Sequence, residues 1–144
     1  MIASRSLALA FVGIAALAAC SHSAATPEPM PTPMATMSKG PALPSGVTMA
    51  MVTTGDSIFK SGSCKNCHGL NAKGTARAPD LTDAKWAQIS GTYPEIVKIV
   101  TDGVPKEAIK MPGAPFGMKP RGGSNLTDDQ VRQVAAYVYS ISHT

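Results

Sequence analysis

The chain has 144 residues, a formal charge of +4, 44% hydrophobic residues, and three cysteines and three histidines. Its Lys and Arg residues are scattered rather than gathered into a patch, which excludes a nucleic-acid surface. No paired cluster supplies the roughly four N/S ligands of a structural zinc site, and so few cysteines give no disulfide framework.

In chain order, residues 1–19 read as a secretory leader. Arg5 supplies a basic start, and residues 7–19 form an uncharged apolar run that ends in small residues and is too short to span a bilayer comfortably. Leu17-Ala18-Ala19-Cys20 resembles the lipobox of bacterial lipoproteins. That resemblance implies acylation of Cys20 and an exported protein, periplasmic or on the cell surface, anchored to the membrane by its N-terminal lipid. Two or three acyl chains would hold it stably, since each buried methylene contributes about 0.8 kcal/mol. Residues 20–51 read as a tether: proline stands at positions 27, 29, 31, 33, 41 and 44, and only Glu28 and Lys39 are charged. Such a stretch cannot bury a core and favours extended, semi-stiff conformations. Met30, Met34, Met37, Met49 and Met51 read as linker residues.

Residues 52–144 remain for one small domain. A first helix is predicted over about 54–63, with Ile58 and Phe59 inward, leading into Cys64-Lys65-Asn66-Cys67-His68. Two thiols three positions apart with histidine directly behind them match the c-type haem attachment sequence, in which both sulfurs form thioethers and the histidine binds iron. A thioredoxin-like C-x-x-C would need a βαβ context, whereas the preceding run reads as helix and turn. One covalent haem c is therefore the expected cofactor, and it supplements a core that is marginal at this size. A short helix is possible over 83–89. A second helix opens at Pro94, carries Ile96, Val97, Ile99 and Val100, and stops at Gly103. The last opens at Thr127 with Gln130 three residues later, a capping box, and continues through Val131, Val134, Ala135, Val138 and Ile141. No strand pattern is visible, and the fold class is all-α.

From Gly55 onward the chain resembles class I bacterial cytochromes c. The resemblance implies three to four helices wrapped around one covalently bound haem, with Gly55 and Phe59 crossing Ala136 and Tyr137, and with Gly69 behind the histidine. It also implies that Pro79 offers its carbonyl to the Nδ1 hydrogen of His68, and that a methionine ahead of the final helix is the sixth iron ligand. Met118 is favoured, lying eight residues before Leu126 in a loop similar to the family's Met-Pro-Pro-Lys/Arg-Gly-Gly, with Lys119 replacing the first proline. Met111, followed by Pro112 and fifteen residues before Leu126, is the alternative. Histidine ligation could come only from His22 or His143, both remote from this loop.

His/Met ligation saturates the iron and implies single-electron transfer by a carrier rather than an enzyme. No carboxylate pair, Ser/His/Asp set or phosphate-cradling loop suggests other chemistry. The expected partners are a dehydrogenase or cytochrome complex on one side and a terminal oxidase or reductase on the other. Two other readings stay open: a haem sensor or ligand-binding protein with a labile sixth site, and the haem subunit of a larger oxidoreductase. Lys65, Lys73, Lys119 and Arg121 flank the haem segments and either form a weak positive collar that steers an acidic partner or are solvated surface charge. Trp86, the sole tryptophan, is expected to seal the haem pocket or hydrogen-bond a propionate. Gly62, Gly122 and Gly123 read as turn and close-approach residues.

Overall fold

The structure, a computed structural model, describes residues 42–144. The leader, Cys20, His22 and the tether through position 41 lie outside the described residues. Among the described residues there are four α-helices: α1 (Met49–Ser61), α2 (Cys64–His68), α3 (Tyr93–Asp102) and α4 (Asp128–Ser142). Short 3-10 turns at Lys106–Ala108 and Pro120–Gly123 lie between α3 and α4. Extended pairing among these residues is confined to two isolated bridges, Thr75 with Ala78 and Val104 with Met118. The fold is all-α, and no described helix is long and apolar enough to cross a membrane.

The first helix starts earlier than its hydrophobic pattern suggested. Thr48 caps it, its hydroxyl accepting from Met51 N at 3.3 Å, so Met49 and Met51 belong to α1 rather than to a linker. Val47 is buried, and Leu43 and Met51 pack against the core. The helix that was possible over 83–89 does not form. Asp83 Oδ1 accepts from Lys85 N, a local turn that competes with helical bonding. Trp86 and Ile89 pack onto the core from this irregular segment instead, and Gln88 is spent on the 106–110 segment: its amide donates to Ala108 O and its Oε1 accepts from Lys110 N.

The frame is the crossing of α1 and α4. A Cβ added at Gly55 would stand 1.9 Å from the carbonyl oxygen of Gln133, so only glycine permits this approach. Around the crossing Phe59, Val131, Val134, Ala135 and Ala136 are buried, and the Phe59 and Tyr137 rings meet at 5.4 Å. α4 opens as expected: Thr127 Oγ1 accepts from Gln130 N at 3.2 Å while Gln130 Oε1 accepts from Thr127 N at 2.9 Å. α3 begins one residue before Pro94 and ends at Asp102, capped by Gly103. It packs on α4, to which Tyr93 donates a hydrogen bond at the Arg132 carbonyl.

Candidate haem-binding site

α1 ends where Gly62 N donates to Ile58 O, and the chain turns at once into α2, whose five residues are the Cys-x-x-Cys-His motif itself. This short turn brings Cys64, Cys67 and His68 to the wall of one cavity of about 260 Å³. Both cysteines are unpaired. Burial pushes the Cys64 thiol above its ordinary range, the reverse of the depressed value that a thioredoxin-like nucleophile needs.

His68 Nδ1 donates to the Pro79 carbonyl oxygen at 3.0 Å. That bond leaves Nε2 as the ring's free electron pair and fixes the ring plane, the usual arrangement behind a metal-ligating histidine. Burial lowers the affinity of His68 for a proton, and the Pro79 carbonyl opposes this only in part, so the imidazole is neutral and able to coordinate. Phe59 lies 6.5 Å from the ring. The loop that returns Pro79 to the histidine depends on Gly74, at φ +77°, where a Cβ would come within 2.5 Å of Asp80 N. Thr75, which the sequence did not single out, donates its hydroxyl to Cys67 O and closes the same loop.

The rest of the wall comes from segments far away in the chain. Ile96, Ile99 and Val100 of α3, Val104 beyond it and Val138 of α4 are apolar lining. Met111 and Met118 both face the cavity. The Met118 backbone is fixed by its bridge to Val104, whose N donates to Met118 O at 2.8 Å. Gly103 and Gly117 allow that approach: a Cβ at Gly103 would lie 2.3 Å from Met118 O, and one at Gly117 would lie 2.2 Å from Val104 O. Met111 sits instead in the turn through Gly113, which has open space around it.

The lining suits a haem: its walls are largely apolar, as a flat macrocycle requires. Trp86 also lines it, while its buried Nε1 lies against Gly91 and has no acceptor among the described residues. Arg77, Lys85 and Lys119 bring positive charge to the same wall. Of the four basic residues expected around the site, Arg121 is committed elsewhere, to Leu126 O and Asp128 Oδ1, and Lys73 donates to Thr82.

A helical fold of this plan, with one covalent haem c held at its centre, is a class I cytochrome c domain. Residues 50–138 match the family described as cytochrome c oxidase, cbb3-type, subunit III, and the chain belongs to that family. It is 36% identical over 97 residues to the cbb3-type cytochrome c oxidase subunit FixP of Sinorhizobium medicae, covering 63% of this chain and 30% of that protein. It is 35% identical over 99 residues to subunit CcoP of Rhodobacter capsulatus, covering 64% and 30%. The chain thus spans about 30% of the length of these curated relatives. Among solved structures, cytochrome cL of Methylophaga aminisulfidivorans aligns with a TM-score of 0.48 at 24% identity, covering 64% of this chain and 55% of that one.

Proposed function

We propose that this chain carries single electrons through a haem c attached at Cys64 and Cys67, with His68 and Met118 as the axial ligands. The observation that carries the reading is that His68 Nδ1 is engaged by Pro79 while a backbone-pinned methionine lines the same cavity. Bound there, the haem supplies one-electron iron chemistry. The protein's residues hold it, exclude water with an apolar wall and keep the histidine neutral. A ligand pair that fills the iron leaves no place for substrate, so the chain acts as a carrier and not as an enzyme. Carbon monoxide tests this: the reduced protein should be indifferent to it at neutral pH, and rapid binding would replace the carrier by a sensor with a labile sixth site.

The working location we propose is outside the cytoplasm, with the helical domain that includes α1 held near a membrane by a lipid on Cys20 and the shorter proline-rich tether that precedes that helix. The lipobox-like Leu17-Ala18-Ala19-Cys20 supports it. Cys20→Ser should release the protein from the membrane fraction, and retention would count against the lipid. The family match favours a second reading, in which the domain relays electrons inside an oxidase assembly rather than between separate complexes. Copurification of oxidase subunits from gently solubilised membranes distinguishes the two.

A further inference from the structure

The segment before the first haem cysteine and the loop after Met118 are joined at one point. Ser63, next to Cys64, donates its hydroxyl to Gly122 O at 2.7 Å and lies 2.6 Å from Ser124 Oγ. A hydroxyl has one hydrogen to give, so with Ser63 donating to Gly122, Ser124 donates to Ser63. Both contacts are partly buried, and among the described residues they are the only hydrogen bonds between residues 63–68 and residues 118–126. The loop they grip is tightly wound. Gly122 N donates to Lys119 O, Ser124 N donates to Arg121 O, and Arg121 and Gly122 both adopt left-handed backbone angles. A Cβ at Gly122 would lie 3.2 Å from Ser63 Oγ and 3.6 Å from Cys64 Sγ, so the loop backbone runs close against the attachment sulfur. The other anchors of this loop lead away from the haem turn: Met118 O is held by Val104, and Arg121 by Leu126 and Asp128 of the α4 entrance.

We infer that the Ser63 and Ser124 hydroxyls form a clasp that fixes the methionine-bearing loop to the haem-attachment turn, making both serines positioning residues for the Met118 ligand. The inference rests on the proposed assignment of Met118. Opening the clasp leaves the Gly122 carbonyl without its donor and frees the loop at the end nearest the haem, while the Val104 and Arg121 anchors keep the fold in place. The sixth ligand then dissociates more readily, although it still rebinds.

The test measures displacement of that ligand by cyanide in the oxidised holoprotein, followed through the sulfur-to-iron charge-transfer band. Losing one or two hydrogen bonds of ordinary strength should speed displacement about tenfold in Ser63→Ala. Ser124→Ala should give a smaller acceleration, and Ser63→Thr, which keeps the hydroxyl, should restore the original rate. If Ser63→Ala impairs haem attachment, Ser124→Ala, outside the motif, reads the same contact. Unchanged cyanide kinetics in the alanine variants, even with a lowered melting temperature, would overturn the clasp and leave a merely structural contact. Met118→Ala separates this failure from that of the ligand assignment. If the band survives in Met118→Ala, the assignment falls and the clasp with it. If the band is lost there but the serine variants exchange at the original rate, the clasp alone falls.

Discussion

Gly55→Ala tests the packing that holds the haem turn in place. In an exposed helix interior this change stabilises by about 1 kcal/mol, because alanine is the better helix former. At the α1–α4 crossing the new methyl would stand 1.9 Å from Gln133 O, 2.5 Å from Gln133 C and 3.0 Å from Tyr137 Cβ. Two of these three atoms are backbone and cannot rotate aside, so the helices must part by about 1 Å or more to restore ordinary contact distances. Overpacking of this kind costs about 1–3 kcal/mol and occasionally more. The clash falls among fully buried side chains such as Phe59 and Val134, so the upper part of that range applies and the net loss is about 2 kcal/mol. For a domain of this size that corresponds to a melting temperature lower by roughly 8–16 °C. Thermal unfolding of the holoprotein followed by far-UV circular dichroism measures it. A melting temperature equal to or above that of the wild type would refute the close crossing.

Two further substitutions probe the helix ends. Thr127→Ala removes the bond that the Thr127 hydroxyl accepts from Gln130 N in the α4 capping box and should cost about 1 kcal/mol in urea unfolding, whereas an unchanged midpoint would mean that this cap contributes nothing. Glu95, on α3, is held down to about 2 by the hydroxyls of Ser90 and Thr92 together with the Thr92 N–H. A carboxylate depressed in the folded state adds stability that is complete above its ordinary range and is lost as pH falls through that range toward the folded value. Glu95→Gln should therefore lower stability near neutrality and flatten the acid limb of the urea midpoint against pH. An acid limb parallel to the wild type's would show that Glu95 is not coupled to folding.

The parts of the fold that were legible in the sequence are those whose determinants are local. Thr127 with Gln130, and Pro94 with Gly103, announced α4 and α3 because caps act within a few residues. The start of α1 was hidden because Thr48 and Met49 lie in a stretch whose composition matches the tether, although a threonine ahead of an apolar run was an available capping signal. Residues 83–89 have helix-forming composition, yet the Asp83 turn and the long-range bonds of Gln88 override it. At the site, the Cys-x-x-Cys-His spacing specified its own chemistry. The Val104 pairing that pins Met118, the Arg121 contacts that remove one charge from the expected collar, and the Ser63–Ser124 pair depend on partners brought together only by folding.

The central claim is a His68/Met118 haem, and near-infrared absorption of the oxidised protein tests it most directly. The account predicts a sulfur-to-iron charge-transfer band in the wild type that persists in Met111→Ala and disappears in Met118→Ala. Persistence of the band in Met118→Ala, or its loss in Met111→Ala alone, would contradict it.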